Sequence, residues 1–472
     1  MVSNDQPRVL LVGAYERDNF GDLLFLLQSE EYLRNAEVTA AAPFPGDMTE
    51  LLDRRIPAYG PLLEEQEYDC LWTVGGEVGA TSFLGAYRMS MPPGVVRAYE
   101  AASPQVREEM IRRTCGNTPI ENPYIPRPTA YPRNASAAMV LNSVGFAGIT
   151  GLPTDQQEAR LATIREADRI AVRDQLSADL LTAHGVSHTL APDLVHSMAL
   201  TRPRERPAEP DVALVQVSDA HLRQTGHEAF AEALARSAHL APFRIRLFLA
   251  GTARGHDSVE SYERIIAHVH RISPGRDIDI STARRPLDLA DEIARAALWI
   301  GLSLHGRIVA AAYGVPRMSL AKRKLDAYAQ TWDPEMPYGV TTEGLDDAVA
   351  EALSPAVAAR AGTVGADLAR MADRSVRATV TETLGEDAAA PAVRDARVRR
   401  RVTSLETWRQ SQRSRLQSQV AERDRTIEDL RRRLALAETI ASTRSPGATD
   451  RVLDGMLRRA RSAKDRLPSR RA

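Results

Sequence analysis

Histidine has an ordinary pKa of about 6.5, so it can give or take a proton near neutrality, and His305 stands where that property is useful. Residues 299–302 read as a short buried strand, Gly306 gives freedom for a sharp turn, and residues 308–313 continue as an alanine-rich helix. His305 is therefore expected at the carboxyl end of a strand and near a helix N-terminus. Open parallel sheets bind ligands there, and backbone N–H groups favour anions. The alternative is a buried histidine bonded to a neighbouring carbonyl. Acid and base roles are both open to it. Arg173 closes another strand-like run, 167–173, and its guanidinium suits bidentate binding of carboxylate or phosphate. Its alternative role is an ion pair with Asp174 or another surface carboxylate.

The chain has three lysines, and two of them, Lys322 and Lys324, follow the His305 helix. Each could supply a point charge to a phosphate. Alternate residues of an extended segment face opposite sides, so one of the two is expected to enter a cleft; a solvated charge run is the other reading. Asn19 and Asp22, on the loop after the first strand, either bond a sugar or shape the turn, with Asp22 equally suited as an N-cap. Gly75 and Gly76 follow another strand. His184, His188, His196, His268 and His270 lack ligand spacing, Cys70 and Cys115 form no CxxC pair, and no metal is expected.

Strands are predicted at 9–12, 36–42, 70–74 and 139–144, alternating with polar or helical stretches, then at 167–173 with a helix from Asp174. Residues 201–210 combine three prolines with charge and read as an interdomain linker. A second series follows, with strands at 211–217, 245–250, 278–280 and 299–302 and helices at 259–269 and 286–297. The expected fold class is α/β, two Rossmann-like lobes over 1–200 and 211–384, the latter with closing helices over 341–384. Beyond a linker at 385–395, residues 396–445 read as a helical or coiled-coil segment: Val420, Ile427, Leu434 and Ala441 share one heptad register, and Leu416, Leu430 and Ala437 another. A homodimer through this helix is a candidate partner arrangement. Residues 446–472 form a basic tail.

Five fragments in order resemble the polysaccharide pyruvyl transferase family: Asn19-Phe-Gly-Asp22, Val74-Gly-Gly-Glu77, Val172-Arg-Asp-Gln-Leu-Ser177, Ala191-Pro-Asp-Leu194, and Ser303-Leu-His-Gly-Arg-Ile followed by Gly314-Val-Pro. The resemblance spans about residues 8–325. It implies a glycosyltransferase-B-like pair of lobes and transfer of the enolpyruvyl unit of phosphoenolpyruvate to two hydroxyls of a sugar, forming a cyclic ketal and releasing phosphate. It also implies a sugar or lipid-linked glycan acceptor, phosphoenolpyruvate as donor and no cofactor. His305 would be catalytic; Arg173, Lys322, Lys324, Asn19, Asp22, Gly75 and Gly76 would bind substrate. Two departures stand out. Some members carry a cation where this chain has Ser303, and Arg307 is the substitute to consider, although two residues along a helix is a rotation of about 200°. Glu77 stands where the family usually has a third glycine, and a side chain there narrows the room for a ligand.

With 43% hydrophobic and 26% charged residues, the 472-residue chain is ordinary for a globular enzyme of two or three domains. It shows neither a membrane-length apolar run nor a signal-peptide layout, so a cytoplasmic location is expected. A net charge of −1 hides an asymmetry: residues 391–472 hold 22 basic against 10 acidic side chains, the rest 39 against 52. Such a tail suits contact with a membrane's inner face or with the acidic body itself, or is a solvated helix; no nucleic-acid partner is expected. Two other functions compete: a nucleotide-sugar glycosyltransferase, disfavoured by the absence of a wider glycine-rich fingerprint, and an inactive domain in a coiled-coil scaffold, which Ser303 and Glu77 would suit.

Overall fold

The computed structural model describes residues 6–116, 122–253 and 256–442. Its contacts divide the chain into two units, Met1–Val402 and Thr403–Ala472. The first unit contains two parallel sheets. One is built from β1 (Arg8–Val12), β2 (Glu37–Ala41), β5 (Cys70–Val74), β6 (Ala138–Val144), β7 (Arg169–Val172) and β8 (Thr189–Leu190), in the order β2-β1-β5-β6-β7-β8, and a small antiparallel hairpin, β3 (Gly46–Met48) and β4 (Arg54–Ile56), lies outside it. β5 and β6 are buried at every position, as their near-continuous apolar sequence requires of central strands covered on both faces.

The second sheet contains β9 (Val212–Gln216), β10 (Arg244–Leu247), β11 (Ile278–Ile280), β12 (Leu298–Gly301) and β13 (Arg317–Ser319), in the order β11-β10-β9-β12-β13. In each sheet the chain winds outward in one direction and then returns to the other side of its first strand. The reversals fall between β1 and β5 and between β9 and β12. A crevice forms outside the carboxyl ends of the strands at such a switch point. Those ends carry Asn19, Gly75 and Gly76 in one lobe and His305 in the other.

The lobes meet through an apolar seam. Phe20 packs edge-on against Phe248 at 5.6 Å, and Phe248 against Trp299 at 5.1 Å, inside one buried cluster drawn from both sheets. Phe20 N donates to Ala250 O at 2.9 Å, and Thr252 bonds Asp18 through its N–H and hydroxyl. Gly251 adopts φ +145°, and a Cβ there would stand 2.5 Å from Asp18 O, so the seam needs glycine.

Two predicted boundaries need correction. The helix Pro355–Leu384 does not simply close the second lobe: Tyr32 donates to Asp373 at 2.8 Å, Arg169 pairs with Glu382 at 3.0 Å, and Val376 is buried with first-lobe residues. The stretch expected as a linker, 385–395, is largely helical, with a turn at Glu386–Ala389 and a helix Pro391–Ser442, because Pro391 suits a helix start rather than a loop. The opening turns of that helix place Arg394 on Asp69 and Arg400 and Arg401 on Asp168, at the end of the first sheet opposite the crevice. In the second unit, the described part of the helix leaves Leu416, Val420 and Leu430 exposed. The basic tail, 446–472, lies outside the described residues.

Candidate active site

The loops at both switch points line one cavity of about 450 Å³. His305 enters it from the first turn of the helix Leu304–Ala312, whose N-cap is Ser303: its hydroxyl accepts from Gly306 N at 3.2 Å. The imidazole stands edge-on to Phe25 at 4.7 Å and against the backbone of Gly21, where a Cβ would lie 1.8 Å from Nδ1. Its Nε2 is 3.7 Å from Asp193 Oδ2 and has no hydrogen-bond partner.

Asp193 is the hub of this arrangement and is fully buried. Its Oδ2 accepts from Arg173 Nη1 at 2.9 Å, its Oδ1 from Val195 N at 3.0 Å, and its own N–H donates to the Tyr328 hydroxyl at 3.1 Å. Burial alone would push its carboxyl up, yet the His305 imidazole and Arg173 guanidinium hold it at about 2. Tyr328 also lies 3.0 Å from Nε2 of His196, whose burial pushes it down to about 4. Arg173 is 1% exposed, sits over the Phe25 ring at 5.7 Å, and keeps Nη2 without a partner. The helix Arg323–Trp332 fixes this pair from the other lobe, through Tyr328 and through Trp332 Nε1, which donates to Arg173 O at 2.8 Å.

Arg173 and His305 thus share one cavity and one carboxylate, although 132 positions separate their numbers. Both Lys322 and Lys324 also line it, where one of the two was expected. The reason is local: Lys322 is the extended N-cap and Lys324 already lies in the helix, so strand alternation does not apply. Lys324 is walled in by protein yet open to solvent through the cleft; that crowding, with Arg173 nearby, pushes its ammonium down to about 8. Asn19 lines the cavity and is itself the N-cap of the helix Phe20–Tyr32, accepting from Gly21 N at 3.1 Å, so Asp22 is not the cap. Asp22 instead pairs with Arg17 at 3.2 Å. Gly75 and Gly76 sit at φ +74° and +76°, and a Cβ on Gly75 would strike the Phe25 ring at 2.0 Å.

Arg307 does not substitute for a cation at Ser303. It turns to the opposite face of its helix, as the 200° rotation allows, and bonds Ser319 Oγ, the carbonyls of Pro337, Asp333 and Met336, and the Asp333 carboxylate. Glu77 does not close the site: its Oε1 accepts from Gly148 N at 2.9 Å, which draws the carboxylate into the wall. Sequence reasoning missed Arg17, on the first loop and held by Tyr124 and Asp22 at 3.2 Å each, and Asp257, whose carboxyl burial pushes up to about 7. Asp193 was legible as part of the Ala191–Leu194 fragment, though not its role as hub. Among the described residues, no group of three or more His, Cys, Asp and Glu could hold a metal ion, and no helix is long and apolar enough to cross a membrane.

Residues 120–321 match the family model for polysaccharide pyruvyl transferase, as the motifs implied; Arg173, Asp193 and His305 lie within that span. The match supports a polysaccharide-modifying transferase. No curated protein matches the sequence. Among solved structures, a Listeria monocytogenes protein assigned as a UDP-N-acetylglucosamine 2-epimerase is 13% identical, with 80% of this chain and 96% of that chain covered and a TM-score of 0.45. The UDP-GlcNAc 2-epimerase of Methanocaldococcus jannaschii in complex with UDP-GlcNAc and UDP is 11% identical, with 78% and 99% covered and a TM-score of 0.42. A spinosyn rhamnosyltransferase is 13% identical, with 79% and 99% covered and a TM-score of 0.35.

Proposed function

We propose, from the polysaccharide pyruvyl transferase match over residues 120–321 as premise, that this chain moves the enolpyruvyl unit of phosphoenolpyruvate onto two hydroxyls of one sugar in a cell-surface glycan or its lipid-linked precursor. The observation that carries the reading is the pair of buried, unpartnered nitrogens, Arg173 Nη2 and His305 Nε2, on two cavity-lining side chains that both approach Asp193 Oδ2. An orphaned buried guanidinium nitrogen is costly, and a carboxylate or phosphate relieves that cost.

Phosphoenolpyruvate carries both anions on three carbons. The Arg173 fork suits one of them, and the ammonium groups of Lys322 and Lys324 suit the other. The His305 imidazole, beside Asp193, delivers a proton to the methylene carbon as the first sugar hydroxyl adds to C2 and loses its own. The bond from C2 to the phosphate oxygen breaks, and the second hydroxyl closes the ketal. In balance, one hydroxyl proton ends on the new methyl group and the other on the released phosphate. No cofactor enters. A lipid-linked acceptor would bring the protein to the inner face of a membrane.

The test is incubation of the full chain with phosphoenolpyruvate and candidate glycans while phosphate release is followed. Sugar-dependent release that disappears in His305→Ala is expected; release indifferent to sugar or to the substitution contradicts the reading.

A further inference from the structure

Beside the first cavity opens a second, of about 320 Å³, within the range of about 300–1,000 Å³ usual for small-ligand sites. The two have Glu77 and Lys324 in common. Their chemistry differs. The first gathers arginine, lysine and histidine; the second sets two carboxylates, Glu77 and Asp174, against small and apolar surface from Gly148, Leu176 and Ala327.

Both carboxylates are held in place by backbone. Glu77 Oε1 accepts from Gly148 N at 2.9 Å, and Asp174 Oδ1 caps its helix by accepting from Ser177 N at 2.8 Å. Their second oxygens converge over Gly145: a Cβ there would lie 2.4 Å from Glu77 Oε2 and 3.4 Å from Asp174 Oδ2. Ionised carboxylates only accept hydrogen bonds. With Lys324 and Arg323 in the same wall the charges balance, two of each sign, and favour neither a cation nor an anion. A neutral ligand rich in hydroxyl donors suits such a wall, and the apolar patch suits the C–H face of a sugar ring.

We propose that this second cavity is the acceptor subsite, holding a neutral pyranose whose hydroxyls donate to Glu77 and Asp174 while its ring rests on Leu176 and Ala327. The assignment rests on the transfer proposed above. Lys324, common to both cavities, then stands between donor and acceptor. Glu77, the departure from a third glycine, is on this view a specificity-determining residue.

The test is saturation-transfer NMR on the full chain with the methyl β-glycosides of glucose, galactose, mannose and N-acetylmannosamine. At least one should bind the wild type. Binding should fall about tenfold or more in Asp174→Asn, which keeps the helix cap but loses the charge, and in Ala327→Phe, which fills the cavity. The rise in thermal midpoint with phosphoenolpyruvate should persist in Ala327→Phe. If that variant does not fold, Asp174→Asn alone decides. No glycoside binding to a wild type that binds phosphoenolpyruvate overturns the proposal, as does glycoside binding untouched by either substitution. If phosphoenolpyruvate raises no midpoint in the wild type, the transfer reading fails, whereas glycoside binding sensitive to Asp174→Asn still upholds the sugar pocket.

Discussion

Arg173 and Arg307 are equally hidden, at 1% exposure each, and each faces a buried aspartate. Their donors go to different places. Arg307 gives both terminal nitrogens to three carbonyls, a serine hydroxyl and Asp333, keeps only Nε without a partner, away from the cavity lining, and so stitches β13 to the chain that follows it. Arg173 gives Nη1 to Asp193 and leaves Nη2 without a partner at the wall of a cavity. Burial is therefore a poor guide to role. What separates an arginine that holds the fold from one that awaits a ligand is where its remaining N–H groups point.

The largest effect should come from the imidazole that shares Asp193 with Arg173. His305→Ala should lower kcat by about 100- to 10,000-fold, while urea midpoints stay near wild type; a loss of less than tenfold would remove it from proton transfer. The two arginines should then part company under the same conservative change. Arg307→Lys leaves carbonyls unpaired and should lower unfolding free energy by about 2–4 kcal/mol, with the KM for phosphoenolpyruvate unchanged in the molecules that fold. Arg173→Lys keeps a positive charge beside Asp193 but loses the fork. It should raise that KM about tenfold or more with a smaller change in the urea midpoint. Equal behaviour in both assays would dissolve the distinction.

Smaller effects sharpen it. Asp257 is another buried group at the cavity, and its carboxyl stands at about 7 in the folded protein against about 3.9 in an unfolded chain. A raised folded value means that its contribution to stability is complete below pH 4 and is lost as pH rises toward 7, by at most ~1.4 kcal/mol per pH unit. Asp193 runs the other way: its folded value of about 2 gives stability above pH 4 that fades as pH falls toward 2. Urea titrations in Asp257→Asn should lose the decline between pH 4 and 7, and an unchanged slope would contradict the assignment. Gly21→Ala, which forces a methyl group onto the imidazole, should lower kcat about tenfold through displacement of His305, with a modest change in midpoint; unaltered kcat would show that this contact does not orient the ring.

The strands that carry the site were legible because they are apolar and bounded by turn residues. β5 and β11 fall where predicted, and β1, β6, β7, β9 and β12 within a few residues. The two-residue β8, the short β13 and the β3–β4 hairpin were not, since none of these strands holds two alternating apolar residues as Ile278-Asp-Ile280 of β11 does. His305 and Arg173 announced themselves by residue type at strand ends. The hub of Asp193 and the platform of Phe25 depend on contacts across the lobes, and the entry of Arg17 on Tyr124, distant in sequence within its own lobe; no local pattern encodes either. The same limit explains the helix Pro355–Leu384, whose apolar face gives no sign of which lobe it will cover.

The convergence of guanidinium and imidazole on one small anion is most directly tested by calorimetric binding of phosphoenolpyruvate to the wild type, Arg173→Lys, His305→Gln and the double variant. A shared anion should make the two losses non-additive by about 1 kcal/mol or more. Strictly additive losses would mean that the two groups act on the anion independently rather than through their common Asp193, and full affinity in either single variant would mean that they do not grip the same molecule.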